Sequence, residues 1–189
     1  MNPSPGCRTH ELLAQYLAAP VAVLTVHHDG HSHGTTVSSL ARVSHRPLLV
    51  AAALRAGSVL ASLAAAEGRF AVNVLGSTQV SLARWFASAA RLRGTGQFAA
   101  LDCHRDPYTG APLFEGALAH FACRLSGSHV VGDHEVLVGR VVHADTGGGT
   151  PLLSYAGELC AGELRPSAAL ATGAYPVLAL SRDPKETSR

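Results

Sequence analysis

Between Pro20 and Tyr155 the chain is a succession of short apolar, β-branched runs, each closed by glycine, proline or an Asp-Gly pair. Turn signals repeating at about ten-residue intervals favour an antiparallel all-β architecture over a doubly wound sheet. Val21–Val26 reads as a strand, Asp29-Gly30 as a hairpin turn, and Gly34–Leu40 as the return strand. The continuous apolar run Leu48–Leu54 predicts a strand covered on both faces. Phe70–Leu75, residues 116–127, residues 134–144 and Leu152–Tyr155 complete the strand set, with a tight connection at Gly132-Asp133. Three short helices are expected around it. One is capped by Thr9 and carries Leu12, Leu13, Tyr16 and Leu17 on one face; a second spans Ser58–Glu67 and is closed by Gly68; the third runs from Ser77 or Thr78 to Ala87. Residues 89–112, rich in Gly and Pro, read as a long irregular stretch. The fold class expected is therefore mainly β with peripheral helices, closing into a barrel.

Apolar residues make up 47% of the 189 and charged residues 15%, which excludes a disordered chain and suits one core plus a buried subunit interface. The basic residues are scattered and pair with no exposed aromatic run, which argues against nucleic-acid binding. Cys7, Cys103, Cys123 and Cys160 form no C-x-x-C pair, so a reduced, cytoplasmic protein is expected rather than a disulfide or zinc scaffold. Neither a secretory h-region near the start nor an apolar run long enough for a bilayer is present, so no membrane association is expected. One domain over residues 1–160 and an extension over 161–189 with a charged end follow from these patterns.

No G-x-G-x-x-G follows a strand, so any nucleotide is held without a Rossmann fingerprint. The run Gly34-Thr35-Thr36-Val37-Ser38-Ser39-Leu40 resembles the G-x-T-V-S-S-F strand of the flavin reductase-like family. Phe70-Ala71-Val72-Asn73-Val74-Leu75, Arg84-Trp85-Phe86-Ala87 and Gly132-Asp133-His134 resemble its later landmarks, in the same order. That resemblance, over about residues 9–160, implies an FMN-binding split β-barrel. It also implies an NAD(P)H-dependent reductase that passes reduced FMN, or FAD, to a partner flavin-dependent monooxygenase. NADH or NADPH would be the hydride donor, and the protein a homodimer with its flavin site across the two-fold interface.

The residues are compatible with that chemistry. Arg55-Ala56-Gly57-Ser58 lies where an apolar strand gives way to a helix, and free backbone N–H groups with Arg55 and Ser58 would suit a phosphate. Thr36 and Ser38 share a strand face, and with Val37 and Ser39 they could meet the polar edge of an isoalloxazine. The resemblance adds Ala53, Leu54, Asn73, Val74, Phe86, Ala87, Gly132 and Asp133 to the cofactor set. It also makes His134 the group nearest the hydride transfer, oriented by Asp133. The residues alone also fit an N-cap serine, a polar strand face, a core Phe86, a strand-end Asn73 and a turn histidine.

His27, His28, His31 and His33 flank the Asp29-Gly30 turn, where facing imidazoles could take zinc or nickel; a solvated hairpin tip without Cys or Glu argues against a functional metal. Leu40 stands where relatives carry an aromatic residue, and Thr35 where they carry a larger apolar one. Both changes would loosen the flavin wall. They leave two alternatives: a tailoring enzyme that keeps flavin and reduces an organic substrate, or a non-redox binding protein on the same barrel.

Overall fold

The computed structural model describes residues 13–92, 94–162 and 164. Strand β1 is the two-residue Ala19–Pro20. Strands β2 (Ala22–His28) and β3 (His31–Val37) form a hairpin whose turn residues Asp29 and Gly30 both have positive φ, 47° and 75°. That is the turn an Asp-Gly pair supplies, because its backbone twist matches that of the flanking strands. Then come β4 (Ala41–His45), β5 (Leu48–Arg55), helix α1 (Val59–Glu67) and β6 (Arg69–Val74). A 3-10 turn leads into α2 (Val80–Ala87), followed by a 3-10 segment at Gly94–Phe98. Short strands β7 (Cys103–Arg105) and β8 (Pro112–Phe114) precede the long hairpin β9 (Ala119–Val131) and β10 (His134–Thr146); β11 (Leu152–Tyr155) and β12 (Glu158–Ala161) follow.

Seven strands make the main sheet in the order β3-β2-β6-β9-β10-β5-β4, every neighbouring pair antiparallel. Register shifts at Val138/Gly139 and Val141/His143 interrupt the β9–β10 ladder, the kind of bulge that bends a sheet. The chain passes from one sheet edge, β3, to the other, β4, through Ser38–Leu40. There Ser39 Oγ donates to Ala53 O and accepts from Ala53 N, both at 2.9 Å, tying the crossing segment to β5. β1, β11 and β12 make a separate three-stranded sheet, and β7 and β8 a two-stranded one.

β2 shows why the sheet needs helices on its outside. Its even residues Ala22, Leu24 and Val26 face the barrel core with Val50, Ala52, Leu54, Phe70, Val72 and Leu137, closed by Leu60, Ala61 and Ala64 of α1. Val23, on the opposite face, packs with Val21, Leu75, Ala83 and Phe86 in a second core under α2. Phe86 sits 5.3 Å from both Phe98 and Phe114, centroid to centroid. Gly34 faces this cluster, where a Cβ would stand 2.6 Å from Phe86 Cε1, so the strand can approach the aromatic cluster only with glycine there.

Several expectations shift. Of the expected N-terminal helix, Leu13 and Ala14 are helical and Thr9 and Leu12 lie outside the described residues. β4 was not legible because its residues are mostly exposed and carry no apolar run. β5 alternates, with Val50, Ala52 and Leu54 buried and Ala51 and Ala53 half-exposed, instead of being covered on both faces. Within 89–112 the chain forms the 3-10 segment and β7, and Asp106 Oδ1 accepts from the amides of Tyr108 and Thr109 in the turn before β8. Of the extension 161–189, only Ala161, Gly162 and Leu164 are described.

Candidate functional site

Where β3, β5, α1 and β10 converge, a cleft of about 690 Å3 opens, within the range of small-molecule and cofactor sites. Thr35, Thr36, Val37, Ser38 and Ser39 line it from β3 and its continuation, Ala53, Leu54 and Arg55 from β5, Ser58 from the start of α1, Ala87 from the end of α2, and His134 from β10.

The register explains the meeting of β5 and β10. His134 is paired with Arg55 and Glu135 with Leu54, and the turn is fixed by Ala56 N donating to Asp133 O at 3.0 Å. Directly paired residues project to the same side of an antiparallel sheet, with Cβ atoms about 5 Å apart. His134 and Arg55 therefore share one rim.

The rim carries an anion-seeking constellation. Ser58 has extended backbone, φ −60° and ψ 131°, and stands at the N-cap of α1, yet its hydroxyl makes no capping bond. The first helical bond runs from Ser62 N to Ser58 O at 3.1 Å, so the amides of the first helical turn have no intrahelical acceptor. Arg55 is exposed and, among the described residues, pairs with no carboxylate. An open hydroxyl, open amides and an unpaired guanidinium in one wall are the donor set a phosphate requires.

His134 is oriented. Its Nδ1 lies 2.7 Å from Asp133 Oδ1, and because a carboxylate only accepts, Nδ1 carries the proton and Nε2 is left for a ligand. The same bond holds the Asp133 carboxyl below its usual range. Asp133 itself is 92% exposed at the hairpin turn, and Gly132 occupies that turn with φ 62°.

The other expected residues lie elsewhere. Thr36 lines the cleft, but its hydroxyl donates to Ala83 O of α2 at 2.7 Å. Asn73 is fully buried. Its Nδ2 donates to Val23 O, Thr25 Oγ1 and Pro112 O, and its Oδ1 accepts from Phe114 N, so it bolts β8 to β2 and β6. Val74 packs against the barrel core and Phe86 lies at the centre of the second core. Asn73, Val74, Phe86, Gly132 and Asp133 thus stand off the cleft wall, while Thr36–Ser39, Ala53–Arg55, Ser58, Ala87 and His134 come together on it. Thr35, expected to alter the flavin wall but not counted among the cofactor contacts, also lines it.

Each imidazole of the hairpin histidines has its own partner: His27 with Ser32, His28 with Glu67, His31 with Asp29 O, and His33 with Gln97. Among the described residues no group of three or more His, Cys, Asp or Glu is placed to hold a metal ion, and no helix is long and apolar enough to cross a membrane.

Comparison with known proteins bears on this geometry. Residues 14–163 match the model of the flavin reductase like domain. The chain is 35% identical over 171 residues to an NADPH-flavin oxidoreductase of Streptomyces viridifaciens, covering 84% of this chain and 88% of that protein. It is 34% identical over 159 residues to an NADH:riboflavin 5'-phosphate oxidoreductase of Streptomyces pristinaespiralis, covering 82% and 87%. Among solved structures, the flavin reductase component of a bacterial two-component tryptophan halogenase superposes with a TM-score of 0.78 at 31% identity, over 84% of this chain and 99% of that one. Sequence match, superposition and the split, helix-flanked sheet agree: the chain belongs to the flavin reductase-like family.

Proposed function

We propose that this protein is an NAD(P)H:flavin oxidoreductase that binds FMN or FAD in the cleft, reduces it, and releases it to a partner flavin-dependent monooxygenase. The observation that carries this reading is the composition of the cleft wall. Strand hydroxyls and small side chains from β3 and β5 meet a Ser58 hydroxyl that makes no capping bond, an Arg55 with no carboxylate partner among the described residues, and a carboxylate-oriented histidine. Such a wall fits a flat ring with a polar edge and a phosphate tail. The relatives' names point the same way: one is the reductase component of a nitrophenol monooxygenase of Rhodococcus opacus, 31% identical over 143 residues.

A bound flavin supplies the hydride-accepting ring; the chain supplies grip and orientation. Ser58, Arg55 and the α1 amides would hold the phosphate, Ser38 and the backbone from β3 through Ser39 would meet the ring edge, and Asp133 fixes the His134 tautomer. Nε2 of His134 would then be free to accept from a nicotinamide carboxamide and so orient the hydride donor. No nucleophile is needed.

The reading includes a homodimer in a cytoplasmic setting. Val130 and Val131, 73% and 61% exposed, stand at the tip of the long hairpin beside the cleft rim, and Leu13, Tyr16 and Leu17 are exposed as well. A second copy would cover such surface and wall the open cleft. Sedimentation at micromolar concentration should give a dimer; a monomer that still holds flavin overturns this part.

Release of reduced flavin has a direct test. Ferricytochrome c is held anaerobically behind a dialysis membrane that passes flavin but not protein. Its reduction should require enzyme, NADH and added FMN together. NADH oxidation without cytochrome reduction overturns the reading in favour of an enzyme that retains its flavin.

A further inference from the structure

Beside the cleft lies a second hollow of about 400 Å3, with His33, Val59, Leu63, Ala89, Arg91 and Leu92 in its wall. It continues the cleft on three elements at once. On β3 it takes His33 where the cleft takes Thr35, a step of about 7 Å along a strand. On α1 it takes Val59, directly after Ser58, and Leu63 one turn on; beyond α2 it takes Ala89 where the cleft takes Ala87.

Arg91 gives this hollow its chemistry. The half-buried guanidinium donates to Ser88 O at 2.7 Å, Gly34 O at 3.0 Å and Gln97 Oε1 at 3.2 Å, all neutral acceptors. Among the described residues no carboxylate lies within ion-pair reach of it. His33, 3.4 Å away, offers no negative charge, and burial together with Arg91 brings its pKa down to about 4, so it is neutral near pH 7. A cation held still by neutral acceptors and partly stripped of water favours an anion that arrives with a ligand. Val59, Leu63 and Leu92 supply the apolar wall that a flat heterocycle needs.

We propose that this hollow receives the adenylate half of FAD, with Arg91 serving the second phosphate, so that the protein selects FAD over FMN. The inference rests on the flavin reading above: FMN ends at the phosphate beside Ser58, and only the dinucleotide continues into the hollow.

Titration of the full chain with FMN and with FAD, followed by flavin fluorescence, tests it. Wild-type protein should bind FAD at least about tenfold more tightly than FMN. Leu92→Glu, at an exposed wall position, should raise the FAD Kd about tenfold or more and leave the FMN Kd within about twofold. Arg91→Gln should act in the same direction, but it also removes bonds that hold residues 88–97, so Leu92→Glu decides. Equal Kd values for the two flavins in wild type, or a Leu92→Glu effect shared by both, overturns the FAD subsite and leaves the reductase reading intact. Unchanged FAD binding with a raised NADH KM assigns the hollow to the nicotinamide cofactor and also overturns it. Failure to bind either flavin overturns the flavin reading itself.

Discussion

Replacing Arg55 and Ser58 together by alanine should weaken FMN while sparing riboflavin, because riboflavin ends in a hydroxyl where FMN carries its phosphate. The size of the effect follows from the two positions. Ser58 is half-buried and its hydroxyl is uncommitted, so its hydrogen bond to a charged phosphate contributes about 1.5–3 kcal/mol. Arg55 is exposed, and a solvent-screened ion pair contributes less, about 0.2–1 kcal/mol. Together they amount to about 2–4 kcal/mol, or roughly 30-fold to several-hundred-fold in the FMN KM. The kcat should change little, since both groups hold a part of the flavin that is the same before and after hydride transfer. Folding should be spared as well. A capping serine contributes about 1 kcal/mol to its helix, but Ser58 makes no capping bond to lose. Steady-state kinetics with FMN and riboflavin side by side, plus a thermal melt, measures all of this. Equal losses for FMN and riboflavin, or a lost helix signal, would refute the assignment of this corner to the phosphate.

Other consequences can be checked separately. His134→Ala should lower kcat/KM for NADH or NADPH roughly ten- to hundredfold while oxidised-flavin binding stays nearly intact, and Asp133→Ala should give a smaller defect of the same kind; a lower Tm with unchanged kinetics would make His134 a structural turn residue. Asn73→Ala leaves several buried partners of its amide unsatisfied and should lower unfolding free energy by about 2–4 kcal/mol in urea titrations, with no change in flavin KM for the folded fraction. His33 has a folded pKa of about 4 against 6.5 for the ordinary ring. The unfolded chain therefore takes up the proton first, and this stabilisation is complete above pH 6.5 and lost as pH falls toward 4. Unfolding of wild type and His33→Gln between pH 7 and pH 4.5 should show the steeper loss in wild type; parallel profiles would contradict it.

Strand periodicity and turn chemistry made most of the sheet legible. Asp29-Gly30 located the first hairpin because few residue pairs accept two positive φ values, and Gly68 ended α1 at φ 71° with its amide on Ala64 O. β4 was not legible, since an exposed edge strand has no apolar face to betray it. β5 looked covered on both faces because alanine does not distinguish a core wall from a ligand wall, and Ala53 proves to line the cleft. The same ambiguity ran through the site. Asn73 and Phe86 sit within recognisable motifs, but one satisfies buried backbone and the other fills the second core. Arg91 carried no signal at all, because what sets it apart is three neutral acceptors brought together by the folding of β3 against the segment after α2.

Anaerobic mixing of the protein with NADH and a large excess of free flavin, followed by absorbance, tests the central claim most directly. NADH and oxidised flavin should disappear together, one for one, through many turnovers per protein molecule and with no organic acceptor present. Loss of no more than one equivalent of NADH per protein, or none until an organic acceptor is added, would contradict a reductase that makes diffusible reduced flavin.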